Sequence, residues 1–520
     1  MRNETFYVTT PIYYPSGDPH IGHSYCTVAA DVVARYKRLR GFDVMFLTGT
    51  DEHGQKIETL AKEKNIDPKT FVDEMSLKFK KLWQTFCITN DRFIRTTNKF
   101  HKKAVQKIFL KLYEKGDIYK GKYKGWYCVP CESFFIESQL VNKKCPDCLR
   151  SVNWAQEEAY FFKLSSYSKK LISFYNENPN FICPQSRKNE MMSFIKDGLQ
   201  DVCVSRSSFS WGVKVPFDDK HVIYVWFDAL VNYITALGYE SGNNSDFKKF
   251  WPADVHFVGK EIVRFHAIIW PAILMALNLS IPKVVYGHGW WLSDNSSKMS
   301  KSKGNVVDPV LLCNDYGVDA VRYFLLKEVP FGSDGVFSFK LFLKRFNSDL
   351  ANDLGNLFHR CSAMVEKYFP NGLLDEQEPL KHDDSLKNFA KSTSTLVEKN
   401  LDSFQFSFAL SNIWELISSC NRYIEDEKPW DLAKDQKKHP RLASVLYNLF
   451  ECLRIISIML SAFMPKSAMT IRKQMLLDDK PIIWEDSKNW GLLFKKFSIA
   501  KGNALFPRIE HKNKQVFSNL

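Results

Sequence analysis

The chain has 520 residues, too many for one hydrophobic core, so two to four domains are expected. Hydrophobic residues make up 45%, which excludes a disordered chain, and the most apolar run, "AIIWPAILMALNL", is too short to span a bilayer, so no membrane partner is expected. Lys and Arg number 72 against 58 Asp and Glu; the net charge of +14 favours a polyanionic partner through counterion release, although basic charge alone does not prove one.

The N-terminus enters a β-like pattern almost at once, with no secretory or transit segment. A cytoplasmic location is therefore expected, where the twelve cysteines are reduced or hold metal. Residues 6–14, "FYVTTPIYY", read as a buried strand. Beyond "PSGDP", Ala29, Val32, Val33, Tyr36 and Leu39 fall at helical spacing, Gly41 supplies a stop, and residues 42–50 read as the next strand. This βαβ rhythm breaks off near residue 116 and returns with "HVIYVWF" (221–227), "VHFVG" (255–259) and "PKVVYGHGWW" (282–291), all read as strands. From about residue 340 long helical patterns take over. The expected fold class is α/β: a doubly wound parallel Rossmann-type sheet, split by an insertion, followed by an all-α helical-bundle domain. The boundaries are drawn at 1–115 and 221–340 for the two halves of the sheet, 116–220 for the insertion and 341–520 for the helices.

Within the insertion, Cys128-x2-Cys131 and Cys145-x2-Cys148 have thirteen residues between them. Four thiolates so spaced suit one tetrahedral Zn²⁺, with redox CxxC pairs as the alternative; no position is left for water, so the predicted zinc is a structural knuckle. At the first strand–helix junction, "PHIGH" sets His20 and His23 at a helix N-terminus, a phosphate-binding position, while Gly22 leaves the backbone open to a planar base. A histidine pair that only caps the helix is the alternative. Far downstream, "KMSKSKGN" brings Lys298 and Lys301, with Gly304 as a bend, after a strand of the same sheet, where loops surround the ligand crevice. A solvated surface loop is the bland reading of those eight residues.

"HIGH" and "KMSKS", in that order on a doubly wound sheet, resemble the class I aminoacyl-tRNA synthetases. "TTPIYYPSGDPHIGH", "FLTGTDEHG", "YVWFDALVNY", "VGKEIVRFHAIIWP" and "ANDLGNLFHR" extend a resemblance to the methionyl-tRNA synthetase family over nearly the whole chain. That resemblance implies a ligase that activates L-methionine with ATP and transfers it from methionyl-adenylate to the 3′ end of tRNA(Met), initiator tRNA included. A class I synthetase for another amino acid is the alternative; a small nucleotidyltransferase and a non-enzymatic zinc-knuckle protein are the more distant rivals. The resemblance implies ATP, with Mg²⁺, at His20, Gly22, His23, Gly259, Glu261, His288, Lys298 and Lys301, and the methionine α-ammonium on Asp51. It implies a side-chain pocket of Ile12, Tyr14, Trp226, Ala229, Leu230, Tyr233, Ile262, His266 and Trp270. Spacing agrees, since Ile262, His266 and Trp270 fall at i, i+4 and i+8 of one helix face, and Tyr233 and His266 are expected to offer weak hydrogen bonds to sulfur. The insertion, of about a hundred residues, is an ordinary size for a small module and short for a hydrolytic editing domain. Asn352, Asn356 and Arg360 make a polar stripe, and Trp430 follows Pro429 at a helix start. The resemblance assigns Asn356, Arg360 and Trp430 to the CAU anticodon, where stacking and hydrogen bonds read splayed bases. Because the chain ends soon after its helices, a monomer is expected.

Overall fold

The computed structural model describes residues 4–129, 131, 133–135, 137–146, 148–293, 307–373, 377–477 and 479–509. Lys298, Lys301 and Gly304 lie outside the described residues.

Strand β1 (Thr5–Tyr13) is apolar or β-branched on both faces and buried along nearly all its length, as a strand covered from both sides must be. Helix α1 (Ile21–Leu39) follows, with Ala29, Val32, Val33 and Tyr36 fully buried, and the chain leaves it through Gly41 at φ +83°. Strands β2 (Asp43–Thr50) and β3 (Arg92–Arg95), helix α2 (Lys99–Glu114), and much later β7 (Ile182–Cys183), β9 (Val255–Gly259) and β10 (Val285–His288) complete the sheet's part of the chain. All its pairings are parallel, in the order β3-β2-β1-β9-β10-β7. The order reverses between β1 and β9, and a crevice opens at such a point beyond the strands' C-terminal ends.

The insertion carries an antiparallel sheet of β4 (Ile118–Cys128), β5 (Ser133–Phe135), β6 (Asn153–Phe162) and β8 (Val202–Cys203) in the order β5-β4-β6-β8. Residues 221–227 are not a strand of the parallel sheet. A strand covers Asp218–Ile223 and pairs antiparallel with Ser205–Arg206; helix α3 (Val225–Leu230) begins immediately after. A short, wholly buried apolar run has no periodicity to separate strand from helix. The edge strands β3 and β7, four and two residues long, carry no legible pattern either.

Beyond the sheet lie α4 (Val318–Lys327), α5 (Asn356–Tyr368), α6 (Asp383–Asp402), α7 (Phe406–Glu427) and α8 (His439–Phe463). Among the described residues one helix, Gln436–Phe463, is long and apolar enough to cross a membrane, and its apolar stretch is wholly buried among the other helices. The apolar cluster that starts on β1 and α1 continues without a break through α4 into α7 and α8. Arg322 of α4 is fully buried in that seam. It donates to the carbonyls of Phe86, Ala462 and Phe463 at 2.8–3.0 Å and pairs with Asp31 of α1 at 2.8 Å. Burial raises the Asp31 carboxyl, but Arg322 and Arg35 outweigh it and hold its pKa below the ordinary value. The Arg322 and Asp31 charges are thus paired and hydrogen-bonded to each other and to the backbone, the condition for burying such a pair without a large penalty.

Candidate active site

The ends of β1, β2, β9 and β10 surround a cavity of about 460 Å³ whose walls include Tyr13, Asp51, Gly259 and His288. His20 caps α1: its Nδ1 accepts from the Gly22 N–H at 3.1 Å, and the His20 N–H donates to His23 Nδ1 at 3.0 Å. A nitrogen that accepts from an amide carries no proton, so both neutral rings hold theirs on Nε2. The rings lie 3.9 Å apart between centroids. Burial, then the neighbouring His20, keep the His23 pKa well below the ordinary value. A Cβ on Gly22 would sit 3.0 Å from the His20 ring, so the residue without one lets the histidine fold back over the turn. His288 is set the opposite way: its Nδ1 donates to the Gly289 carbonyl at 2.8 Å, which leaves Nε2 as an acceptor. Glu261, beside Gly259, accepts from Trp290 Nε1 at 2.6 Å.

Asp51 ends β2, its N–H donating to the Tyr13 carbonyl at 2.9 Å, and its side chain is buried in the cavity wall. The next residue, Glu52, is gripped by Arg95 through two bonds of 2.6 and 3.0 Å and accepts from Thr50 and Thr97. The turn that presents Asp51 is therefore fixed from behind.

Ile12, Tyr14, Trp226, Ala229, Leu230, Tyr233, Ile262 and His266 line the same cavity. Phe265, absent from the sequence reading, joins them and stacks on Trp226 with centroids 3.7 Å apart and planes 10° apart. Trp270 does not reach the wall. It is wholly buried behind Tyr233 and donates to His256 Nε2 at 3.3 Å. The backbone of Phe265–Ile269 is a π-helix, whose wider turn breaks the i, i+4, i+8 alignment; Pro271, just beyond, has no N–H to give an α-helical ladder. The expected hydrogen bonds to sulfur also need correction. His266 Nδ1 donates to the Ile262 carbonyl at 2.9 Å, so its Nε2 must accept from the Tyr233 hydroxyl 2.7 Å away. Both donors are already engaged. Burial pushes the His266 pKa down to about 4, against the bond to Ile262, so this ring is neutral.

At the tip of the insertion the four cysteine sulfurs lie within 4.8 Å of one another, with Cys128–Cys148 at 3.6 Å and Cys131–Cys145 at 3.9 Å. Ligands about 2.3 Å from a tetrahedral ion stand ~3.8 Å apart, so the donor set fits a closed metal site. Hydrogen bonding from Cys131 draws the Cys128 pKa down to about 5. Cys131 and Cys148 also border the cavity, so the knuckle forms part of its rim. The other cluster with ligand-like spacing among the described residues, His382, Asp383 and Glu427, already holds the Arg441 guanidinium at 2.7 Å from each carboxylate.

On the helical part, the Arg360 guanidinium lies 5.8 Å from the ring centroid of Trp430, which is 37% exposed, and pairs with Glu425 at 2.8 Å. Asn356 is exposed one turn before Arg360 on α5, whereas Asn352, also exposed, sits in a π-helical stretch, Phe346–Gly355.

Comparison with known proteins gives a consistent result. A family model described as tRNA synthetases class I (M) matches residues 6–153 and 149–362, and one described as the anticodon-binding domain of tRNA ligase matches residues 384–498. The chain is 59% identical over 507 residues to the methionine–tRNA ligase of Caldanaerobacter subterraneus and 52% identical over 524 residues to that of Bacillus subtilis; each alignment spans 98% of this chain and 79% of the relative. A solved structure of Mycobacterium tuberculosis methionyl-tRNA synthetase in complex with methionyl-adenylate superposes with a TM-score of 0.93 at 40% identity, covering 97% of this chain and all of that one. The apo form of the same enzyme gives 0.87 at 36%. With its sheet, crevice and helical domain shared at this level of identity, the chain belongs to the methionine branch of the class I tRNA synthetases.

Proposed function

We propose that the protein activates L-methionine with ATP to methionyl-adenylate and transfers the methionyl group to the 3′ end of tRNA(Met), initiator tRNA included. One observation carries this reading: the histidine turn, Asp51, the aromatic wall and the residues His288–Trp291 that precede the lysine-rich segment all face one cavity. The methionine carboxylate attacks the α-phosphorus of ATP and pyrophosphate leaves, a reaction in which positioning and charge stabilisation dominate. The first turn of α1 and the Nε2–H groups of His20 and His23 hold ATP and meet charge at the α-phosphate. Gly259, Glu261 and His288 complete the nucleotide side. Asp51 takes the α-ammonium through a charge-assisted bond, and the stacked Trp226–Phe265 pair receives the thioether. Lys298 and Lys301 stabilise the departing pyrophosphate. Mg²⁺, bound with the triphosphate, would add charge neutralisation there, and Zn²⁺ on Cys128, Cys131, Cys145 and Cys148 would hold the knuckle together. Asn356, Arg360 and Trp430 read the anticodon. A monomeric state and a cytoplasmic location belong to the same proposal; light scattering tests the first.

The deciding experiment is amino-acid-dependent exchange of pyrophosphate into ATP across the twenty amino acids. Exchange with methionine alone is expected. Exchange driven by another amino acid would replace the assignment with the alternative synthetase.

A further inference from the structure

Behind the cavity, three segments far apart in sequence meet at one buried carboxylate. Asp228 lies on α3 between Trp226 and the pair Ala229–Leu230, which line the cavity, and its own side chain is wholly buried. Its Oδ2 is 2.6 Å from Nδ1 of His53, two residues beyond Asp51, and its Oδ1 is 2.8 Å from Nε2 of His101 on α2. His101 is itself wholly buried and reaches Thr235 Oγ1 at 2.7 Å through its other nitrogen. The His53 ring also packs edge-on against Trp211, whose Nε1 donates to the Glu52 carbonyl at 2.6 Å. Burial favours a protonated carboxyl, but the two imidazoles outweigh it and hold Asp228 ionised, at a pKa of about 2.

A charge so deep costs free energy that an apolar side chain in the same place would not. What it gains is a link between two sets of contacts on different elements: the turn bearing Asp51 and the helix bearing the pocket wall. Methionine must span both at once, because its ammonium and its thioether are a fixed number of bonds apart. We propose that Asp228, bridging His53 and His101, is a positioning residue that sets the distance between the ammonium anchor and the side-chain pocket and so selects the length of the amino acid's side chain. The proposal rests on the reading of Asp51 as the ammonium anchor.

A well-set pocket separates substrates differing by one methylene by roughly 10–200-fold. Loosening the strap should erode that ratio. In pyrophosphate exchange with the full chain, Asp228→Ala should raise the KM for methionine at least tenfold, leave the KM for ATP within twofold, and reduce at least fivefold the preference for methionine over ethionine, a thioether one methylene longer. His53→Ala removes one of the two bonds and should move the same quantities in the same direction; it decides the matter if Asp228→Ala does not fold. His53→Asn, whose amide can replace the Nδ1–H donor, should restore most of the preference. A purely structural role would instead lower activity toward both amino acids together. Asp51→Asn is measured alongside. If it binds methionine normally, the anchor reading fails and the strap with it. If it loses methionine while Asp228→Ala and His53→Ala keep both affinity and selectivity, the strap alone is overturned.

Discussion

His20 and His23 show how little a residue's type says about its chemistry. The same imidazole is a protonated-Nε2 donor in the α1 turn, a Nδ1 donor to a carbonyl at His288, and an acceptor from tyrosine at His266. Each assignment comes from a backbone partner, and no spacing rule reveals it. Sequence alone therefore placed these histidines near the cavity but misjudged His266 and Tyr233 as sulfur donors. Asp228 shows the same limit: its partners are 175 and 127 residues away, beyond any local pattern. Lys298 and Lys301 have a single charge each to offer and a clearer expectation. Lys301→Ala should slow adenylate formation at least tenfold, since losing one donor to developing charge costs about 2.7–4 kcal/mol, while methionine affinity stays near normal. Single-turnover formation of methionyl-adenylate reads both; an unchanged rate would remove this lysine from the chemistry.

Helix α1 is legible because its apolar residues repeat at helical spacing, whereas strands β1, β2 and β9, buried on both faces, are legible from short runs of β-branched and aromatic residues rather than from alternation. The helical spacing of Ile262, His266 and Trp270 was legible but not its detail, because a π-helix followed by Pro271 alters which face Trp270 occupies. The cluster of four sulfurs was legible for a different reason: two closely spaced CxxC pairs point to a four-thiolate site before any fold is known, with redox pairs as the alternative. It presents four sulfurs and no vacant ligand position, so a metal bound there would support the cavity rim rather than activate water. Removing the ion with a chelator, or by Cys145→Ser, should raise substrate KM values severalfold and lower metal content from one to zero per chain, with the exchange reaction retained at saturating substrate. Loss of turnover with unaltered KM values would make the metal catalytic. Metal analysis and exchange kinetics on the same sample distinguish the two.

Across the whole molecule, buried neutral imidazoles set the acid limit of stability. His23 and His256 are held well below their ordinary pKa, His288 below it and His266 at about 4, in each case chiefly by burial. The unfolded chain takes up these protons near pH 6.5 while the folded chain refuses them, so stability is complete above that pH and falls as pH drops toward 4. His266 alone contributes on the order of 3 kcal/mol to that fall. His221 is lowered by burial too, while Asp319 and Asp353, whose burial raises their pKa, work in the opposite sense, two groups against five. The urea midpoint should therefore decline steadily between about pH 6.5 and 4; a flat profile would contradict the neutral assignments. On the helical part, Trp430→Ala should weaken tRNA charging at least tenfold while sparing pyrophosphate exchange, since base stacking is worth about 1–3 kcal/mol per base. Equal losses in both assays would deny the exposed ring an anticodon role.

The seam held by Arg322 bears on how this protein can be handled. A cut near residue 340, where composition changes most sharply, falls on no natural joint: it would strand a guanidinium without Ala462 and Phe463 and strip the cover from the oily flank of α4. Catalytic and tRNA-reading parts are distinct in role yet inseparable as material, and a fragment of either is a poor stand-in for the enzyme.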